Sequence, residues 1–267
     1  MFKANAWITL EVVMNKDILN EAQIKDFNEN GYVIAKGFYN QDEIARLQEV
    51  AFNDDSLYEK AWDKKDAKGA VSKVCIWQKT GDDFYSMFSR GNRLVDSCEA
   101  IIGEPTYHTS TKIMMKEPFV GGAWEWHQDF GYWHQDNLML YPKAISCMVA
   151  INKATVENGC LQVLKGSHHL GRLDHSKTGD QKGADLKFVD EAMKTSELIN
   201  VELDPGDTLF FHCNLLHKSN QNRSSEPRWS MISAYNAVSN QAFEENEAIY
   251  YPLERVNDDA ILNWKAS

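Results

Sequence analysis

The chain is short of positive charge. Only 28 Lys and Arg stand against 39 Asp and Glu in 267 residues, a formal net charge of −11 with histidine neutral. Gripping nucleic-acid phosphates or docking on an anionic membrane needs a basic surface, so neither role is expected. An anionic small ligand stays open, because a local basic pocket can sit inside an acidic protein. Cysteine is also sparse. Cys75, Cys98, Cys147, Cys160 and Cys213 are odd in number, and the closest two lie 13 residues apart. No CxxC exists, which excludes a zinc knuckle and a thioredoxin-type pair. Buried free thiols in a reducing, cytoplasmic setting are expected. No apolar run approaches the ~20 residues of a membrane span. Glu11 interrupts the apolar stretch near the N-terminus and no clear small-residue cleavage site follows, so a signal peptide is not expected. Residues 1–13 read as an extension outside the fold. Solenoid repeats and low-complexity tracts are missing too.

What is present suits a soluble globular protein: 43% hydrophobic residues, 25% charged and a mean hydropathy of −0.49. Asn20 with Gln23, and Asn40 with Glu43, are capping-box patterns, each ahead of apolar residues at helical spacing. Gly31 closes the first helix, and Tyr32–Ala35 reads as a strand. One helix is predicted over Asp83–Ile102, while residues 53–72 read as loop or solvated helix. From about Thr106 the texture changes to short β-like runs: Tyr107–Met115, Ala144–Asn152, Leu161–Leu164, Leu198–Leu203, Thr208–Phe211 and Trp229–Ala237. Turn formers such as Asp204-Pro205-Gly206-Asp207 separate them, a barrel or sandwich signature. The expectation is a mainly β, α+β protein with one domain over 14–267. It has a helical layer at about 20–104 and a β core at about 105–240. The polar stretch 171–197 is an insertion, read as a lid or a surface loop.

Chemistry is suggested first by His127-Gln128-Asp129. On a strand, residues i and i+2 share a face, so one imidazole and one carboxylate can bind the same ion. Two histidines and a carboxylate on one face leave coordination positions open, an arrangement suited to non-haem Fe(II) oxygenases. Zinc hydrolases use similar donors, so the pair alone leaves the metal open. Trp126-His127-Gln128-Asp129 recurs as Trp133-His134-Gln135-Asp136, and composition does not choose between the copies. Further on, His217 ends one predicted strand and Arg228 begins the next, where a guanidinium can grip a carboxylate bidentately. Ser230 shares its face.

Three ordered segments resemble the phytanoyl-CoA dioxygenase family of Fe(II)/2-oxoglutarate oxygenases. They are WHQDFGYW at 126–133, ENGCLQVLKGSH at 157–168 and DPGDTLFFHCNLLHKSNQNRSSEPRWS at 204–230. The segment Phe27–Val50 fits as well, and the resemblance runs from about 20 to 240. It implies a double-stranded β-helix (jelly-roll) core. It assigns iron to His127, Asp129 and His217, and the distal carboxylate of 2-oxoglutarate to Arg228. Ser219 matches a further co-substrate contact, and Lys73 resembles a lysine that reaches 2-oxoglutarate in some members. Ser230 rests on an Arg-x-Ser pattern of the wider superfamily.

The implied activity is O2-dependent hydroxylation of a small molecule, with succinate and CO2 released. Desaturation, oxidative cyclisation and a non-catalytic metal-binding jelly roll are the alternatives. A carboxylate at Asp129 argues against halogenation, which needs a small residue there. The partner is a small-molecule substrate, and the chain is expected to be a monomer or homodimer. An inward-pointing Lys112 would indicate a carboxylate- or phosphonate-bearing substrate. Trp124, Trp126, Phe130, Tyr132 and Trp133 could wall the pocket, and His134 with Asp136 is read as a rim or surface pair. His212 is expected in the core and His168 in a structural turn; His169, His175 and His108 have no assigned role, though His108 could face the cavity from its strand.

Overall fold

The computed structural model describes residues 18–242 and 253–265. The extension expected at 1–13 lies outside the described residues. The chain opens with helix α1 (Glu21–Asn30), strand β1 (Tyr32–Ala35) and helix α2 (Gln41–Phe52). Then come α3 (Ser56–Lys60), β2 (Trp62–Lys65), β3 (Val71–Trp77), α4 (Phe84–Ser89) and α5 (Asn92–Ile102). Next are β4 (Thr106–Lys116), β5 (Trp124–His127), α6 (Asp129–Gln135), β6 (Ala144–Ala150) and β7 (Leu161–Leu164). A 3-10 turn at Ser167–His169 leads to β8 (His175–Thr178), β9 (Gln181–Ala184) and α7 (Leu186–Thr195). The rest is β10 (Leu198–Val201), β11 (Thr208–His212), β12 (His217–Ser219), β13 (Arg228–Ala237) and α8 (Ala260–Asn263).

Both capping boxes form. The Asn20 side chain accepts from the Gln23 amide at 3.0 Å while Gln23 accepts from the Asn20 amide at 3.0 Å. Asn40 and Glu43 repeat the exchange, and Glu43 also pairs with the Arg93 guanidinium, tying α2 to α5. Gly31 ends α1 in the left-handed region at φ +81°, and a Cβ there would lie 2.4 Å from the His168 ring. Only glycine meets both demands.

The strands form a seven-stranded antiparallel sheet, ordered β1-β11-β6-β13-β4-β3-β2, and a four-stranded sheet, ordered β10-β7-β12-β5. Neighbours distant in sequence pair side by side, the crossover pattern of a jelly roll. Side chains of the large sheet alternate between two cores. Ile145, Cys147, Val149 and Met231 pack against Phe84, Phe88 and Leu94 of the helical layer. Met148, Ala150, Leu209 and Phe211 face the small sheet through Leu161 and Val163. β6 is therefore buried on both faces, which is why it reads as an unbroken run of small and apolar residues rather than an alternation.

Several expectations need correction. The single helix predicted over Asp83–Ile102 is two, α4 and α5, broken at Arg90-Gly91. The Arg90 carbonyl accepts from the Val256 amide at 3.1 Å, and the Asn92 amide donates to the Val256 carbonyl at 3.1 Å. A distant segment thus takes the backbone groups a continuous helix would have used. Residues 53–72 carry the edge strand β2, paired with β3 from Trp62↔Val74 to Lys65↔Val71. Its sequence, WDKK, is charged because an edge strand faces water.

The insertion at 171–197 holds the β8–β9 hairpin and α7. Val189, Ala192 and Ala184 bury against Trp126, Leu164 and Leu216. No helix among the described residues is long and apolar enough to cross a membrane.

Candidate active site

His127 is the last residue of β5 and pairs directly with His217, the first of β12. Asp129 follows two residues later as the first residue of α6. The strand-to-helix turn keeps its carboxylate beside both rings. Ligand atoms of His127, Asp129 and His217 lie within 4.8 Å of one another, and all three residues are buried. Asp129 Oδ1 is 3.7 Å from His127 Nε2 and 4.0 Å from His217 Nε2.

The imidazole tautomers follow from their backbone partners. His127 Nδ1 lies 2.7 Å from the Glu125 carbonyl, and His217 Nδ1 lies 2.9 Å from the Leu215 carbonyl. A carbonyl only accepts, so each Nδ1 carries the proton and each Nε2 presents its lone pair inward. Burial, reinforced by His217, holds His127 well below the usual histidine range, and burial lowers His217 as well. For Asp129, burial pushes up, but His217, Lys112, His127 and the Tyr132 hydroxyl outweigh it, bringing the carboxyl to about 2. Two neutral imidazoles and one ionised carboxylate form a donor set that fits a divalent iron ion.

A second layer aims these groups. Tyr132 Oη donates to Asp129 Oδ1 at 2.7 Å, and Ser146 Oγ on β6 donates to Oδ2 at 2.7 Å. The Gln128 amide donates to His175 Nε2 at 2.9 Å, and His175 Nδ1–H donates to the Leu173 carbonyl at 2.9 Å. The Gln128 side chain accepts from the Leu173 amide at 2.8 Å and donates to the Asn214 carbonyl at 3.0 Å. The residue between two candidate ligands is thereby clamped from both sides. Gly131 is required there, since a Cβ would lie 2.0 Å from the His175 ring.

The cavity holding the triad is also lined by Lys112, Trp124, Phe211, Ser219, Arg228 and Ile232. Arg228 begins β13, whose inward residues are Arg228, Ser230 and Ile232, while Trp229 and Met231 enter the helical core. Arg228 is 3% exposed, and its guanidinium donates to Ser230 Oγ at 3.1 Å and to the Gly159 carbonyl at 2.9 Å. Nε has no partner, and among the described residues no carboxylate ion-pairs with Arg228. Burial lowers its pKa to about 10. A buried cation without an anion is costly, so this guanidinium fits a site whose carboxylate arrives with the ligand.

Six of the sequence-derived residues converge: His127, Asp129, His217, Ser219, Arg228 and Ser230. Lys73 does not. It sits in register with Met115, on the face of the large sheet that meets the helices, and its Nζ pairs with Asp63 of the edge strand at 2.7 Å. Side chains alternate at every residue, so an odd-numbered position on β3 faces away from the even-numbered cavity row. His134 and Asp136 lie along and just past α6, and Asp136 pairs with Lys182 at 2.7 Å near the surface.

His212, expected in the core, is half-buried at the end of β11; its pKa is lowered to about 4, and it accepts from the Asn214 amide at 3.0 Å. His168 sits 3.1 Å from the Asn28 carbonyl. Sequence reasoning missed Ser146, His175 and the Gln128 clamp. Ser146 has a signal, being a hydroxyl at an inward position of an otherwise apolar strand. His175 has none, because its partner is 47 residues away.

A jelly roll with a buried two-histidine, one-carboxylate cluster and, on a strand of the facing sheet, an arginine without a carboxylate partner defines a class of metal-dependent oxygenase folds. The sequence profile of the family "Phytanoyl-CoA dioxygenase (PhyH)" matches residues 27–230, and this chain belongs to that family. It is 32% identical to L-proline trans-4-hydroxylase of Streptomyces griseoviridis over 174 residues, covering 60% of this chain and 65% of that protein. It is 26% identical to ectoine dioxygenase of Sphingopyxis alaskensis over 260 residues, covering 87% of this chain and 82% of that protein. The crystal structure of EctD from S. alaskensis with 2-oxoglutarate and 5-hydroxyectoine superposes with a TM-score of 0.70 at 26% identity, covering 85% of this chain and 79% of that chain.

Proposed function

We propose that this chain is an Fe(II)- and 2-oxoglutarate-dependent dioxygenase that hydroxylates a small molecule bearing an anionic group. The observation that carries the reading is the buried His127/Asp129/His217 cluster sharing a cavity with an unpaired Arg228. Family membership and the names of the relatives support it. A metal-binding jelly roll without turnover would have no use for a buried, anion-less arginine, and a zinc hydrolase would not require one.

Iron and 2-oxoglutarate, when bound, supply the oxidising chemistry: O2 is consumed, succinate and CO2 are released and the substrate gains one oxygen atom. This chain's residues bind, orient and exclude water. His127, Asp129 and His217 would hold the metal, their protonation states fixed by backbone carbonyls and by Ser146 and Tyr132. Arg228 would anchor the distal carboxylate, with Ser219 beside it and Ser230 fixing the guanidinium. Trp124 and Tyr132 wall the metal side of the cavity.

Substrate class rests on Lys112. It lines the cavity and its charge is felt by both Asp129 and His217. A cation facing the reacting centre from β4 suits a carboxylate or phosphonate on the substrate. The insertion at 171–197 is proposed as a wall of the site, given its hydrogen bonds to Gln128. Five buried free thiols support a reducing, cytoplasmic location, and a monomer or homodimer is proposed.

Succinate release across amino acids, cyclic amino acids and phosphonates, with iron and 2-oxoglutarate fixed, tests the reading. Turnover that needs both and favours anionic substrates is expected. Turnover supported by Zn(II) in place of Fe(II), or no succinate with any substrate, would sink it.

A further inference from the structure

Candidate ligand His127 sits on an edge strand. β5 is the last strand of the small sheet, and β12 pairs with one side of it. Among the described residues no strand bonds to its other side, where backbone groups still need partners. Two side chains of the β8–β9 hairpin supply them. The Gln181 side chain accepts from the Glu125 amide at 2.9 Å and donates to the Ala123 carbonyl at 3.0 Å, as a neighbouring strand would. His175 Nε2 accepts from the Gln128 amide at 2.9 Å, and its Nδ1–H donates to the Leu173 carbonyl at 2.9 Å, which fixes the tautomer.

The hairpin's spacing matches the strand it meets. His175 pairs with Ala184 and Thr178 with Gln181, so His175 and Gln181 stand three register steps apart. Their targets, the amides of Glu125 and Gln128, are three residues apart (128 − 125), about 10 Å along either strand. The hairpin also reaches the far end of the ligand segment. Lys182 pairs with Asp136 at 2.7 Å, and the Gln135 side chain donates to the His175 carbonyl at 3.3 Å. β5, the turn and α6 are thereby held as one piece.

We propose that His175 and Gln181 are positioning residues of the metal centre: they complete the outer edge of the strand that carries His127, so that metal affinity depends on the docked hairpin. The inference rests on the metal reading above and adds residues that act through the backbone around the ligands. A hairpin that only covered an apolar surface would present apolar side chains. His175 is 9% exposed and Gln181 is 5% exposed, and burying such groups is costly unless their hydrogen bonds are made. Both make them to backbone within four residues of His127. Ligands preset before the metal arrives need no ordering on binding. The coupling is reciprocal, so bound metal must also hold the hairpin down more firmly.

Mn(II) calorimetry and hydrogen exchange on the full-length protein test this, with no turnover. His175→Leu removes both ring hydrogen bonds, and Gln181→Met keeps the side-chain length without its polar atoms. Each should weaken Mn(II) binding about ten-fold, the low end for a lost outer contact. His175→Gln keeps an acceptor at the reach of Nε2 and should recover most of the loss. In wild type, saturating Mn(II) should slow amide exchange across 171–184, and His175→Leu should lose that protection. A merely structural role predicts a lower Tm with Mn(II) affinity unchanged, and that result in both folded variants would overturn the proposal. Exchange across 171–184 that ignores Mn(II) in wild type would overturn it too. So would a loss in His175→Gln as large as in His175→Leu, since the acceptor would then not matter. Wild-type protein that binds no Mn(II) would bring down the metal reading itself, and this inference with it.

Discussion

The same four residues, Trp-His-Gln-Asp, occur twice, at 126–129 and at 133–136, with different fates. In the first copy His127 closes a strand and Asp129 opens a helix, and the partner strand brings His217 against both. In the second copy His134 and Asp136 lie along a helix and its end, and Asp136 pairs with an exposed lysine. The Asp129 carboxyl is 6% exposed and Asp136 is 50% exposed. The candidate metal cluster is thus made by the junction and by the third residue delivered from 90 positions away (217 − 127), not by the tetrapeptide.

The largest break in that comparison is His217→Ala against His134→Ala. The first should reduce iron-dependent succinate release to background, and the second should leave it within two-fold. Equal effects would mean that the two copies share the chemistry. Arg228→Ala comes next. It removes charge-assisted hydrogen bonds of roughly 1.5–3 kcal/mol, so the 2-oxoglutarate KM should rise by about ten- to a hundred-fold or more. Added 2-oxovalerate should bind the variant as it binds wild type. Ser146→Ala leaves all three ligands in place but frees Asp129 Oδ2. Metal affinity should fall about 10- to 100-fold, the usual cost of losing an outer partner, and an unchanged affinity would make Ser146 incidental.

The smallest effect concerns two histidines outside the metal cluster, buried His108 and half-buried His212. His108 and His212 are lowered to about 4 by burial, with His168 and His169 adding to the effect on His212. Their folded pKa lies below the unfolded value near 6.5, so the unfolded chain binds more protons between about pH 6.5 and 4. Stability is fully present above that window and is lost as pH falls through it. Between pH 7.5 and 5.5 the loss is on the order of 1 kcal/mol per histidine, read as a fall of a few degrees in Tm. A flat Tm over that range would contradict neutral burial.

How much of this was legible in the sequence depends on the range of each interaction. The capping boxes, the β6 run and the Arg228/Ser230 alternation are local patterns, and each appears where its spacing places it. The break between α4 and α5 is not legible, because Val256, more than 160 residues away, takes the backbone groups of Arg90 and Asn92. Lys73 shows the opposite failure. Its neighbourhood is right, but strand parity turns it to the helical face, and parity depends on a register that sequence does not state. His175 looked like one polar residue in a polar insertion, and only the fold sets its ring under Gly131.

The central claim is that the first Trp-His-Gln-Asp copy, joined by His217, is the metal centre. Anaerobic titration of Fe(II) into wild type, Asp129→Ala and Asp136→Ala tests it most directly. One tightly bound iron per chain is predicted for wild type and for Asp136→Ala, with tight binding lost in Asp129→Ala. Retained stoichiometric binding in Asp129→Ala, or its loss in Asp136→Ala, would contradict the account.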